Sequence, residues 1–178
     1  MNFEPYGPFP LRPYVESEDG RWKSKFWAMV NASEDCLSTA NGIYIFSLKF
    51  GSKFTPWYVG KTCSEKGFSG EVFQGHKLDH YFEVADGRRG LPFIHLIAHV
   101  EENRRNFCPF TYKGDREIEL VETYLIGMAL GANPELRNNK KTKFYRTLDI
   151  EGVIGPKYDG RPREAARTLK NVLGLVKA

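Results

Sequence analysis

Three short stretches of apolar and alternating residues predict β-strands. Residues 41–50 carry Ile43, Ile45, Phe46 and Phe50 and read as a strand. Gly51, Ser52 and Lys53 make a turn, and residues 55–61 return as a second strand. The two form a hairpin whose loop is a little longer than the tightest type. Pro56, at the start of the second strand, is tolerable on a sheet edge. Residues 92–100 alternate cleanly: Ile94, Leu96, Ala98 and Val100 fall on one face, and Phe93, His95, Ile97 and His99 on the other.

Helical spacing marks the segments between and after these strands. Residues 21–30 predict a helix with Trp22, Phe26, Trp27 and Val30 on one face, packed into a core. Residues 69–85 predict another, with Ser69 as N-cap and Glu71 in the first turn; Gly75 weakens it. The strongest helix covers residues 116–130, where Ile118, Val121, Leu125 and Met128 form a stripe and Gly131 is the stop. Residues 162–176 read as a terminal helix opened by Pro162. A short strand is expected within 144–154. The first 13 residues, rich in proline and rings (Pro5, Tyr6, Pro8, Phe9, Pro10), read as an irregular arm. The order predicts an α/β or α+β layer sandwich on a small mixed sheet, with residues 41–150 as its core domain. Residues 1–40 would be an extension packed on that core, and 151–178 a helical extension.

Composition adds bounds. A chain of 178 residues is long enough for one domain with a core, and 41% hydrophobic with 27% charged residues are those of a globular protein. The net charge of +4 leans towards a polyanionic partner, although a mildly basic surface alone explains it equally well. Cys36, Cys63 and Cys108 are widely spaced and form no C-x-x-C, which argues against a disulfide framework or a zinc finger and fits a reducing cytoplasm. No secretory signal is visible, and no apolar run is long enough to span a bilayer, so no membrane partner is expected.

Several residues have the types that phosphate chemistry needs. The hairpin brings Tyr44 and Tyr58 onto neighbouring strands. A phenol titrates near pH 10, so it can act as a base only if a neighbouring cation lowers that value, and Lys61 is placed to do so. Cross-strand aromatic packing is the plainer explanation of the pair. On the next helix, His76 and His80 share one row and Lys77 and Tyr81 the adjacent row. One row can face the sheet and the other solvent, and a cation there can hold a phosphate. Glu122 falls on the apolar side of its helix, where a carboxylate must be paired with a cation such as arginine or bind a hard metal such as Mg²⁺. Glu119 points to solvent. His95 and His99 share a strand face without a third ligand and read as half-exposed strand residues.

Gly42-Ile43-Tyr44 on one strand and Tyr58-Val59-Gly60 on the next, followed by Lys77 and Tyr81, then Glu122, then Asn138, resemble the GIY-YIG nuclease superfamily. The resemblance extends over residues 41–143. It departs from the family in one respect: the helix after the second motif holds no arginine, and Lys77, with His76 and His80 as rivals, stands in its place. The resemblance implies a DNA endonuclease, acting on double strands by preference, with Glu122 as ligand of Mg²⁺ (or Mn²⁺). Tyr44 or Tyr58 would position or deprotonate the attacking water, Lys77 would contact the phosphate, and Asn138 would orient a backbone or a phosphate near the site. Lys53, Arg88, Arg89, Arg104, Arg105, Lys140, Lys141 and Lys143 would be candidate phosphate contacts. A stand-alone restriction or defence nuclease is the implied setting. The contrasting expectation is a catalytically inactive module of the same fold that binds nucleic acid or protein.

Overall fold

The computed structural model describes residues 1–11, 21–103, 106–153 and 161–175. Two compact units follow one another along the chain, Met1–Asn138 and Asn139–Ala178. The described N-terminal residues fall in the first of these units.

The first unit is an α+β fold on a four-stranded sheet. Its strands are β1 (Asn2–Pro10), β2 (Gly42–Phe50), β3 (Lys53–Thr62) and β4 (Leu91–Val100), in the spatial order β1-β4-β2-β3. Every neighbouring pair runs antiparallel, so the sheet is not mixed. β2 turns into β3 with Phe50 paired to Lys53, so the loop is only Gly51–Ser52, the tightest hairpin length. The helices of this unit are α1 (Trp22–Ser33), α2 (Gly67–Glu71), α3 (Gly75–Asp86) and α4 (Tyr112–Ala132).

The N-terminal residues form a strand where an irregular arm was expected. Prolines cannot donate to a ladder, but an edge strand needs donors on one side only. β1 is such an edge: it pairs with β4 alone and shifts register between Tyr6 and Phe9. Phe9 then reaches inward and meets Phe26 of α1 edge-on, with ring centroids 6.4 Å apart.

The inward residues of β4 behave as their alternation predicts, whereas on β2 the inward face is Tyr44, Phe46 and Leu48, and Phe50 is exposed. Tyr44, Phe46, Leu48, Ile94, Leu96, Ala98 and Val100 are buried against Phe26, Trp27 and Val30 of α1, Phe68 of α2, and Phe73, Tyr81 and Val84 on the α3 side. The predicted helix 69–85 is in fact α2 and α3, broken around Phe73 and Gln74. Phe73 leaves helical geometry to join an aromatic cluster, 4.9 Å from Phe26 and 5.4 Å from Trp27. Ser69 caps nothing; its hydroxyl donates to the Lys66 carbonyl at 2.8 Å.

α4 packs on β3 and β2. Its N-terminus is capped by Thr111, whose Oγ accepts from the Gly114 amide at 2.9 Å, and the helix runs past Gly131 to Ala132. Ile118, Ile126 and Ala129 are its buried side chains; Met128, expected in the stripe, is 57% exposed. The segment after α4 covers the outer edge of β3, which would otherwise leave ladder groups open. The Asn133 side-chain amide donates to the Pro56 carbonyl at 2.8 Å, and the Arg137 amide to the Trp57 carbonyl at 2.8 Å. Asn138 brackets Val59, accepting from its amide at 2.9 Å and donating to its carbonyl at 2.7 Å.

The second unit contains α5 (Thr142–Thr147) and α6 (Glu164–Val172). A helix therefore occupies the start of the region expected to hold a short strand. α6 carries Glu164 in its first turn and Lys170 in its last, as the helix dipole favours, and its described residues Leu169, Val172 and Leu173 are exposed. The predicted end of this helix at 176 and the position 154 lie outside the described residues. No described helix is long and apolar enough to cross a membrane.

Asn138→Ala removes both partners of the Val59 main chain from a buried place. It should lower the unfolding free energy by about 2–3 kcal/mol, read from the urea midpoint at constant m-value.

Candidate functional site

The hairpin register sets the geometry of the tyrosines. Tyr44 of β2 stands opposite Gly60 of β3, and Phe46 opposite Tyr58. A Cβ at Gly60 would collide with Cζ and the hydroxyl of Tyr44, so only glycine lets that ring lie across β3. Gly42 is held for a similar reason, since a Cβ there would collide with the Ile97 carbonyl of β4. Both motif glycines are therefore places where a ring or a strand approaches closely.

Tyr44 and Tyr58 place their ring centroids 6.2 Å apart. α3 delivers the next residues. Its Lys77–Tyr81 row faces the sheet: both are buried, Tyr81 stacks on Phe46 at 4.4 Å and meets Tyr58 edge-on at 6.2 Å, and Lys77 Nζ lies 5.4 Å from the centre of the Tyr44 ring. His76 is exposed to solvent. His80 is half-buried and stacks on Tyr58 at 6.4 Å, its Nδ1 without a hydrogen-bond partner among the described residues. Glu122, half-buried on α4, lies close enough for its charge to act on Tyr44 and Tyr58.

The electrostatics of this patch run against an activated phenol. Burial, then the neighbouring Tyr81 and Tyr58, then Glu71 and Glu122, push Tyr44 far above the ordinary tyrosine range. Burial does the same to Tyr81, with Tyr58 and Glu71 adding to it. Tyr58 is also raised, by burial first and then by Glu122, while a contact with Tyr44 opposes the shift. Lys61, expected to lower Tyr58, donates instead to Asp115 of α4 at 2.6 Å. The three phenols are therefore neutral near pH 7. The hydroxyls of Tyr44 and Tyr81 are buried and complete no hydrogen bond of normal geometry among the described residues. Such groups are costly to leave unpaired, which makes them places where a ligand oxygen would be welcome.

Sequence reasoning passed over Glu71. The spacing makes it a first-turn acid of one long helix, but it ends α2, and the break before α3 folds it back beside Lys77, which donates to its carboxylate. Gly75 was the available signal of that break. Asn138 orients a backbone, that of Val59, between the second motif's Tyr58 and Gly60. The surface cations divide. Arg88 lies 4.0 Å over the Trp57 ring and pairs with Glu135 at 2.9 Å. Lys53 and Arg89 are exposed, Lys140, Lys141 and Lys143 belong to the second unit, and Arg104 and Arg105 lie outside the described residues. His95 is half-buried and bonded to the Ser47 hydroxyl at 2.8 Å. His99, expected to be half-exposed, is buried and pairs with Glu117 at 3.1 Å.

Of two clefts, of about 630 and about 470 Å³, the second shares Tyr81 with the patch; neither includes Tyr44, Tyr58, Lys77 or Glu122. Tyr58 and Glu122 are the half-buried members of the patch, while Tyr44, Lys77 and Tyr81 are buried. No family model, no curated protein and no solved structure matches this chain.

Raised tyrosines have a signature in stability. Phenols that stay protonated in the fold but ionise near pH 10 when unfolded stabilise the native state fully below that pH. Above it the stability should fall, by up to about 1.4 kcal/mol per pH unit for each phenol concerned. Urea melts at pH 9, 10 and 11 will show this slope, and Tyr44→Phe should reduce it.

Proposed function

We propose that this chain is a metal-dependent endonuclease that hydrolyses phosphodiester bonds in DNA, with double strands favoured. The observation that supports it most is the convergence of Tyr44, Tyr58, Lys77, Tyr81 and Glu122 from β2, β3, α3 and α4 on one patch. These are residues on which the GIY-YIG resemblance rests.

One half-buried carboxylate beside phenolic oxygens fits Mg²⁺ or Mn²⁺, which keeps most of its waters and takes further oxygens from the substrate. No group of three or more His, Cys, Asp and Glu that could cage a metal exists among the described residues, so Glu122 would hold the ion with water and substrate. When bound, the ion would neutralise charge on the phosphate and on the leaving 3′ oxygen. The remaining roles belong to the chain. Lys77 supplies a fixed positive charge for the phosphate. Tyr58, the phenol reachable from solvent, positions the attacking water through its oxygen. Tyr44 and Tyr81 stay neutral, and their hydroxyls, which complete no bond of normal geometry among the described residues, donate to substrate oxygens. Asn138 keeps the Tyr58-Val59-Gly60 main chain in register. The free thiols of Cys36, Cys63 and Cys108 suit a reducing cytoplasm.

One observation favours a second reading. Tyr44, Tyr58 and Tyr81 are all shifted upward, away from activation, as in an inactive module that binds nucleic acid or protein through the same fold.

Nicking of supercoiled plasmid separates the two. Wild type with Mg²⁺ should nick, and EDTA should stop it. Glu122→Ala should cut at least about 100-fold more slowly while still binding DNA without metal. Lys77→Ala should cost about 100-fold, and His76→Ala less than about threefold. Absence of nicking by the wild type under every metal condition would leave the binding module; loss of DNA binding in Glu122→Ala would make Glu122 structural.

A further inference from the structure

Lys77 is only 4% exposed, so its ammonium group needs a partner. Glu71 supplies two contacts. Lys77 Nζ donates to the Glu71 carboxylate and, at 3.1 Å, to the Glu71 main-chain carbonyl. The second carboxylate oxygen accepts from Gln74 Nε2 at 2.7 Å, in the link between α2 and α3. The Glu71 side chain is 31% exposed.

The two partners are unequal in freedom. The carbonyl contact and the Tyr44 ring hold the lysine from the main chain and from below. The carboxylate sits at the end of a short helix, partly in water, where it can be hydrated if it leaves. A phosphate oxygen and a carboxylate oxygen make the same kind of charge-assisted bond to an ammonium group. A phosphate that takes the charge-assisted contact now made by the Glu71 carboxylate has to displace that carboxylate from Lys77.

We propose that the Glu71 carboxylate is a resident occupant of the phosphate position on Lys77, and that a substrate phosphate binds by exchanging with it. The phosphate's origin in a DNA backbone rests on the nuclease reading; the exchange itself does not. In this arrangement Glu71 is a positioning residue. It keeps Lys77 aimed and neutralised in the free protein, and it sets the affinity for phosphate groups by competing with them. Departure of its charge from beside Tyr44, Tyr58 and Tyr81 also makes room for the incoming anion, which would otherwise face both Glu71 and Glu122.

The test is calorimetric titration of inorganic phosphate into wild type, Glu71→Gln, Gln74→Ala, Lys77→Met and the double variant Glu71→Gln/Lys77→Met. Glu71→Gln keeps the main-chain carbonyl that anchors Lys77 and removes only the competing charge. It should tighten phosphate binding by about tenfold. Gln74→Ala, which loosens the carboxylate and also loses a bond to the Gly70 carbonyl, should give a smaller gain and keeps the question answerable if Glu71→Gln folds poorly. Lys77→Met should bind worse than wild type, and the double variant should match it. Phosphate affinity in Glu71→Gln and Gln74→Ala no tighter than in wild type would overturn the exchange. So would an undiminished gain in the double variant. Tightening without any DNA cleavage by the wild type would uphold the exchange and remove only the nuclease substrate.

Discussion

The Tyr44 ring lies against the main chain of Gly60, and the spacing of the whole patch depends on that contact. Because a Cβ at Gly60 would strike the ring and hydroxyl, the bare main chain of β3 is what allows β2 to project a tyrosine across it. Tyr44 is thereby fully buried, at the base of the patch, with the Tyr58 ring beside it. α3 must then come down on top, and it does so with a lysine and a tyrosine rather than with aliphatic residues. Tyr81 takes Phe46 as its stacking partner, and Lys77 sits over the Tyr44 ring. The outer edge of β3 is held by Asn138, which bonds both main-chain groups of Val59.

This arrangement puts polar groups where water is scarce. Elsewhere in the first unit such groups are paired. Lys61 has Asp115, His99 has Glu117, and Thr62 donates to the Gly67 carbonyl. In the patch the pairing is incomplete. Among the described residues two phenol hydroxyls and a histidine nitrogen are buried without a hydrogen bond of normal geometry, and the buried lysine is neutralised by a carboxylate that can reach water. Proteins tend to break local rules of polar satisfaction where function requires it. Neutral phenols have a use of their own: they donate hydrogen bonds to an anion without adding charge. The patch is accordingly better suited to gripping a phosphate and a water than to removing a proton with a tyrosinate.

Much of this was legible in the chain. The alternation in 92–100 gave the inward face of β4 correctly, because a strand between two others has little choice of face. The motif tyrosines, Lys77, Tyr81 and Glu122 could be named from strand and helix spacing, and the tyrosines and Lys77 do meet. What escaped was set by tertiary contact. β1 is a strand because β4 offered it an edge, which overrides the poor strand propensity of its prolines. The break between α2 and α3 follows from the pull of Phe73 into the aromatic cluster, and no local pattern announced that Glu71 would turn back onto Lys77. Lys61 looked like a partner for Tyr58 by sequence distance, yet Asp115, far along the chain, reaches it on the other side of the sheet. The rotation of α4 that exposes Met128 likewise depends on how the helix seats on β3 and β2.

The most direct measurement is end-mapping on DNA. Purified protein would be incubated with a linear duplex library of random sequence, with Mg²⁺ or with EDTA, and all new ends recovered and sequenced. A phosphodiesterase site of this kind predicts new 5′-phosphate ends that form only with the metal, with any sequence preference visible around them. A library whose ends are the same in both samples, across Mg²⁺ and Mn²⁺, would contradict it.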